Sequence, residues 1–295
     1  MTYVLFIGDR TFSSWSLRGW LMLEKFGLPF RVEEVGLYTG TLAADLTPVA
    51  PARFVPALMM AGGEPLGDTL AMAETLAERH PEAGLWPDDP AARMRARWLV
   101  AEMHSGFAAL RSHCPMALIR SYDGFRPPPE LLAELDRLQA LWTEAQTRFG
   151  AGGPWLFGRY CLADVFFAPV AARIAAYGLP VGDAAAAYVA QHLADPAFRR
   201  WRAEGLTFRY APEPHAMDLP HLPWPGPEPV PARAVAHGPA INAACPVTGR
   251  PPTHFLEING ALIGFATLSA RDMVANDPEA FPEVAAIYHS VTKQA

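Results

Sequence analysis

The chain has 295 residues, 51% of them apolar and 18% charged, with a formal net charge of −6. That length suggests about two domains with enough apolar side chains to build real cores. The acidic balance argues against a nucleic-acid-binding surface, and no run reaches the ~18 apolar residues of a membrane span.

Tyr3 to Ile7 (YVLFI) is a short apolar run that predicts a buried strand. Ser13-Ser14-Trp15-Ser16 supplies hydroxyls at a helix start, Leu17 to Phe26 predicts the helix, and Gly27 stops it. Phe30 to Val35 predicts a second strand, which makes a βαβ unit. Leu37 to Phe54 is poorly regular. Ala57 to Met60 and a short piece at Pro65-Leu66 predict two further strands around the Gly62-Gly63 turn. Asp68-Thr69 caps a helix predicted over Leu70 to Arg79. The order β-α-β-α-β-β-α is that of a thioredoxin-like α/β domain, residues 1–80.

His80 to Pro90 is polar and proline-containing, as an interdomain linker is. Beyond it the pattern turns helical, predicting an all-α helical-bundle domain over 88–210. Its predicted helices are Ala91 to Arg111, Glu130 to Phe149, the almost wholly apolar Ala163 to Ala176, Ala184 to Leu193 and Pro196 to Glu204. In the second of these, Leu131, Leu135, Leu138, Trp142, Ala145 and Phe149 mark one buried face. Residues 211–240 carry nine prolines and predict a linker or wrapping arm. Residues 241–295 predict a small α+β appendage. It has a strand over Thr253 to Ile258, a hairpin at Asn259-Gly260, a return strand over Ala261 to Thr267, a helix near Ala270 to Ala275 and another opening at Pro278.

Three cysteines, Cys114, Cys161 and Cys245, stand far apart without a CxxC pair. Neither a disulfide framework nor a cysteine-rich zinc site is expected, and a reducing, cytoplasmic setting fits. The first fifteen residues have neither the basic region nor the long apolar stretch of a secretory signal.

Three local features carry chemistry together. The hydroxyl cluster Ser13 to Ser16 opens a helix, where unpaired N–H groups and partial positive charge stabilise a thiolate. Its other reading is plain capping. Val55-Pro56 precedes a strand. In the cis form it turns backbone groups toward an extended peptide ligand, and in the trans form it is an ordinary strand edge. Asp68-Thr69 at the next helix start suits a ligand carboxylate and ammonium, or again capping alone.

The order of these features resembles the glutathione S-transferase superfamily over the first 210 residues. SSWSLR at Ser13 to Arg18 is similar to the SSCxxR motif of the zeta class, which includes maleylacetoacetate isomerases. Ala50-Pro51 to Val55-Pro56-Ala57-Leu58 is similar to that family's NPxxxVPxL segment, and Asp68 to Glu74 to its (E/Q)SxAI segment. Leu162-Ala163-Asp164 resembles the start of its buried helix.

The resemblance implies glutathione as co-substrate, with Ser13 and Ser14 as the catalytic hydroxyls. It implies that Ser13, Phe54, Val55, Pro56, Asp68 and Thr69 hold the tripeptide, with Pro56 in cis. Trp15, Trp98, His104 and Arg111 would line the electrophile pocket, and Asp164 would be a buried structural carboxylate. It also implies a homodimer. The activity implied is attack of the glutathione thiol on a small electrophile, by conjugation or isomerisation; the alternative is a glutathione-binding or interaction protein without turnover. Trp15 replaces the motif cysteine, and Cys161 replaces a hydroxyl residue as helix cap.

The tail, from Cys245-Pro246-Val247-Thr248-Gly249 to Asn276-Asp277-Pro278-Glu279, resembles a YHS-type metal-binding module. The module's CxxxC positions fall on Ala266 and Ala270, so a degenerate module with no metal is expected.

Overall fold

The computed structural model describes residues 2–208 and 215–292. Part of the expected linker, 211–214, therefore lies outside the described residues. Of those described, residues in Met1–Leu193 and Ala211–Pro225 form one unit, and residues in Ala194–Tyr210 and Gly226–Ala295 form a second.

The first unit opens with β1 (Tyr3–Ile7), α1 (Ser14–Glu24), β2 (Phe30–Glu34), the four-residue α2 (Leu42–Asp45), β3 (Ala57–Met59), β4 (Pro65–Gly67) and α3 (Thr69–Arg79). The sheet order is β2-β1-β3-β4. Strand β1 runs parallel to β2, with Tyr3 opposite Phe30, and antiparallel to β3, with Leu5 opposite Leu58. β1 is central, so both its faces are covered, which is why it reads as continuous rather than alternating apolar residues. On one face Phe6, Val35, Leu46, Val49 and Ala57 form a core cluster. Helix α1 approaches the Val55-Pro56 turn closely: a Cβ on Gly19 would stand 2.8 Å from a ring carbon of Pro56. Glycine at that position lets the helix and the turn share one wall of the site.

The helical part contains α4 (Pro90–Ser105), α5 (Ala108–His113), the short β5 (Ser121–Tyr122), α6 (Pro129–Phe149), α7 (Leu162–Ala176) and α8 (Asp183–Ala194). The single helix expected over Ala91 to Arg111 is broken at Gly106-Phe107, where Phe107 takes φ 57°. Two charged side chains build the break. Arg111 donates to the carbonyls of Met103 (2.5 Å), His104 (3.3 Å) and Gly106 (3.1 Å), ending α4. Glu134 on α6 accepts from the N–H groups of Ala109 (3.0 Å) and Leu110 (2.8 Å), starting α5. Orphan groups at both helix ends are thus satisfied.

Helix α7 is buried along its whole length except at Ala175. Its start is the expected position of Cys161, which caps reciprocally: the thiol accepts from the Asp164 N–H, and Asp164 Oδ2 accepts from the Cys161 N–H at 2.9 Å. The carboxylate, not the thiol, does most of the capping. Asp164 Oδ1 also accepts from Tyr188 Oη (2.8 Å) and from the Leu156 N–H (3.3 Å). Burial raises its pKa to about 6 against the pull of these donors.

Residues 211–240, expected as a linker, contribute two strands. In the first unit β6 (His221–Leu222) pairs with β5.

The second unit groups α9 (Pro196–Gly205), expected in the helical domain, with the tail. β7 (Ala232–Val235), β8 (His254–Ile258) and β9 (Ala261–Phe265) form an antiparallel sheet in that order. The hairpin at Asn259 (φ 49°) and Gly260 (φ 78°) takes the left-handed conformations its sequence favours. α10 (Leu268–Asn276) follows. Pro278–Ala280 makes a 3-10 turn instead of the expected helix start, and α11 (Pro282–Thr292) begins at the next proline. Leu256, Ile258, Ile263, Phe265, Val274, Phe281 and Ala203 of α9 share one core. Arg199 of α9 grips Asp277 through two bonds (2.7 and 2.6 Å) and Glu279 through a third (3.0 Å). Cys245 lies in this core; burial works to raise its thiol pKa, but hydrogen bonds from Thr248 and from backbone N–H groups of Ala266, Thr248 and Val247 bring it below the ordinary value. Among the described residues no group of three or more His, Cys, Asp or Glu is placed to hold a metal, and no helix is long and apolar enough to cross a membrane.

The three donors converging on Asp164 set an expected outcome. Asp164→Ala leaves them buried without an acceptor, which should lower unfolding free energy by roughly 3 kcal/mol or more. The midpoint of denaturant unfolding checks this.

Candidate functional site

The first unit holds a cavity of about 670 Å³. Its floor is the start of α1. Ser13 is the N-cap: its Oγ accepts from the Ser16 N–H (3.2 Å) and donates to Ser16 Oγ (2.7 Å). Ser16 Oγ in turn accepts from the Gly8 N–H (3.0 Å), tying the helix start to the end of β1. Ser14 faces the cavity differently. Its Oγ accepts from Arg173 Nη2 (3.4 Å), and its own hydroxyl hydrogen finds no acceptor among the described residues.

A second helix start lies on the same cavity. Asp68 (φ 67°) caps α3 by accepting from the Leu70 (2.8 Å) and Ala71 (3.2 Å) N–H groups. Thr69 is 1% exposed, and its Oγ1 is buried with no hydrogen-bond partner. Val55-Pro56, joined by a cis peptide bond, and the outward Phe54 (79% exposed) complete this side.

On the other side stands Trp15. Guanidinium carbons of Arg18 (4.7 Å) and Arg111 (4.9 Å) lie over its ring, and the His104 ring meets it edge-on at 5.3 Å. His104 Nε2 is 3.2 Å from Asp68 Oδ2, while its Nδ1 is buried without a partner. Burial lowers the His104 pKa; Asp68 pulls it up, and Arg18 and Arg111 push it down. Arg173 is buried and donates to the carbonyls of Cys114 (2.8 Å) and Pro169 (3.3 Å) as well as to Ser14, and burial lowers its pKa to about 10.

Residues 12–79 match the family model of the glutathione S-transferase N-terminal domain. The matched stretch runs from the α1 start through α3, and so contains every residue of the Ser13, Val55 and Asp68 groups. A probable maleylacetoacetate isomerase from Caenorhabditis elegans is 30% identical over 109 residues, covering 37% of this chain. The chain spans about half the length of that curated relative. Among solved structures, a Burkholderia glutathione transferase homologue with bound glutathione superposes with TM-score 0.54 at 23% identity, over 70% of this chain and all of its own. A glutathione transferase from Methylococcus capsulatus gives 0.52 at 24% identity, over 70% of this chain and all of its own. Ure2p in complex with S-hexylglutathione gives 0.53 at 18% identity, over 68% of this chain and 98% of its own. The fold is that of the glutathione transferases.

On that fold the cavity gathers Ser13, Ser14, Trp15, Phe54, Val55, Pro56, Asp68, Thr69, His104 and Arg111. Trp98 is not among them. It is 50% exposed on α4, stacked under Arg95 and donating to Glu102 (3.1 Å). Six helical residues separate it from His104, a rotation of about 240°, so the two cannot share a face. Nine lining residues carry no expectation from the sequence, and three of them are polar groups that bear on the site: Tyr38, Arg173 and His215. Arg173 left a signal, the one basic residue inside the apolar run of α7. Tyr38 and His215 left none, because they meet across 177 residues of chain.

The balance at His104 has a measurable sign. Its ring should titrate below the ordinary 6.5, and Asp68→Asn, which removes the attraction favouring the charged form, should lower it further. Ring-proton chemical shifts followed against pH read both.

Proposed function

We propose that the chain binds glutathione in this cavity and activates its thiol for attack on a small electrophile. The observation that carries the reading is the convergence of two helix N-termini on one cavity, each with an uncommitted hydroxyl: Ser14 at α1 and Thr69 at α3. A buried hydroxyl without a partner costs free energy that a ligand acceptor recovers. Thr69 and the first N–H groups of α3 suit the carboxylate of the γ-glutamyl end, and Asp68 suits its ammonium. Backbone of Val55 before Pro56 suits the cysteinyl part. Glutathione of neighbouring structures supports the same choice of ligand, as does the match over 12–79.

Bound glutathione supplies a nucleophilic sulfur. The protein's part is to favour its ionised form at the α1 start, where the helix presents unpaired N–H groups and partial positive charge. The resemblance assigns Ser13 to that task; local bonding favours Ser14. Ser13 has given its hydrogen to Ser16 and accepts as the helix cap. Ser14 has its hydrogen to give, and the Arg173 guanidinium behind it strengthens the donor. Trp15, His104 and Arg111 form the wall against which an electrophile would lie. Conjugation and isomerisation both begin with such a thiolate.

A second reading, a glutathione-binding protein without turnover, is favoured by Trp15 standing where the zeta motif carries cysteine. A cytoplasmic homodimer accompanies either reading, and sedimentation of the full chain tests the oligomer.

Retention on glutathione resin and absorbance titration of the bound thiol separate these readings. Ser14→Ala should raise the bound thiol pKa by about one unit, equivalent to ~1.4 kcal/mol, and cut turnover accordingly. Ser13→Ala should act chiefly on stability, costing about 1 kcal/mol as a lost cap. Equal activity of both variants and the parent rejects thiol activation. Thr69→Val should weaken retention while leaving the melting temperature nearly unchanged, because its hydroxyl has no bond to lose.

A further inference from the structure

His215 lies in the proline-rich stretch expected as a linker, yet its ring lines the cavity. Its Nδ1 is 3.2 Å from the Met116 carbonyl oxygen and its Nε2 is 2.5 Å from Tyr38 Oη. A carbonyl only accepts, so Nδ1 carries the hydrogen of the neutral ring and Nε2 accepts from the Tyr38 hydroxyl. Burial, reinforced by Arg173 and opposed by the Met116 bond and Asp9, lowers the His215 pKa and so favours the neutral ring. The ring also packs on Phe12 at 5.2 Å, one residue before the α1 cap.

Tyr38 sits on a loop that is itself braced. Thr39 Oγ1 donates to the Gly36 carbonyl (3.2 Å), Thr41 Oγ1 donates to Asp45 Oδ2 (2.8 Å), and the Gly36 N–H donates to the same oxygen (3.2 Å). The loop backbone is fixed, and the Tyr38 side chain, 43% exposed, reaches from it to His215. Met116 is anchored in turn, because the Leu118 N–H donates to the Thr11 carbonyl (3.0 Å) and Arg173 holds the Cys114 carbonyl.

We propose that the Tyr38–His215 bond is a latch across the cavity, and that His215 is a positioning residue which governs how readily an electrophile enters. The electrophile side of this inference rests on the function proposed above; the latch itself does not. Neither residue belongs to the Ser14, Val55 or Thr69 groups assigned to glutathione, so opening the latch should alter access for the electrophile and spare glutathione binding.

Two readouts test this on the full chain. The first is stopped-flow binding of 8-anilinonaphthalene-1-sulfonate, an anionic aromatic dye that needs no glutathione. His215→Ala and Tyr38→Phe should each speed dye entry by about fivefold, the scale of one lost hydrogen bond. The double variant should be no faster than either single one, because both remove the same bond. His215→Gln, whose amide oxygen reaches the Nε2 position, should restore most of the parent rate. The second readout is steady-state kinetics with 1-chloro-2,4-dinitrobenzene: KM for this electrophile should change in both single variants while retention on glutathione resin stays as in the parent.

Unchanged dye rates, or single-variant effects that multiply in the double variant, overturn the latch. Should His215→Ala fail to fold, as judged by circular dichroism, Tyr38→Phe and His215→Gln carry the test alone. A parent protein that retains no glutathione rejects the proposed function, and the dye rates still decide the latch.

Discussion

A guanidinium cut off from water must find acceptors, and Arg173 finds them in three segments that the site needs held together. It donates to the Pro169 carbonyl on its own helix α7, to the Cys114 carbonyl after α5, and to Ser14 at the start of α1. Removing a charge from water costs several kcal/mol, so these acceptors are strongly constrained in place. One side chain thereby fixes the distance between the α/β sheet's first helix and the helical wall of the cavity. Arg18 ties the same two helices from the other direction, with Nε donating to the Phe166 carbonyl at 3.2 Å. A cavity bounded by such pairs keeps its shape before any ligand arrives, which is what preorganised binding requires.

Much of this architecture was legible in the sequence, and the reasons differ by element. β1, α6 and α7 announce themselves because their patterns report burial directly: continuous for the central strand, one face for α6, all round for α7. The three helix- and strand-start features at Ser13, Val55 and Asp68 were legible because each is local, written in adjacent residues. What stayed hidden depends on partners distant in sequence. The α4–α5 break at Gly106-Phe107 needs Glu134 from α6 as well as the nearby Arg111, and no periodicity within Ala91 to Arg111 encodes it. The strands of the proline-rich stretch are likewise set by partners: Ala232–Val235 becomes a strand because β8 offers an edge. Trp98 illustrates the opposite error. It shares a helix with His104, but a helix has faces, and membership alone does not bring a side chain to a cavity.

The capping of α7 shows how a local departure can be absorbed without loss of the element. A thiol is a poor acceptor, and Cys161 at the cap position would leave the first turn weakly held. Asp164, three residues on, accepts from the Cys161 N–H and gathers Tyr188 and Leu156 as well. The buried thiol itself is held in its neutral form, chiefly by desolvation and secondarily by the Asp164 charge. Cys114 is similar, pushed up to about 12 by burial despite Arg173. Neither thiol is set up as a nucleophile, so the thiol chemistry proposed above rests on a sulfur brought into the cavity and not on the protein's own.

Arg18, Arg111 and Arg173 stand close enough that each of the buried pair Arg18 and Arg173 is destabilised, after desolvation, by its arginine neighbours. Asp68 pulls Arg18 the other way, but it is also engaged by His104 and by the α3 N–H groups. Arg111 and Arg173 line the cavity and Arg18 lies buried behind it, while Glu134 attracts Arg111 as Asp68 attracts Arg18. By linkage, a negative charge entering the cavity and the arginines that face it stabilise one another by the same free energy. A thiol placed at the α1 start would give up its proton more readily for that reason alone, before Ser14 contributes its hydrogen bond. For a thiol held there as proposed, the helix terminus, Ser14 and the arginines lining the cavity would all act with the same sign, each favouring the thiolate.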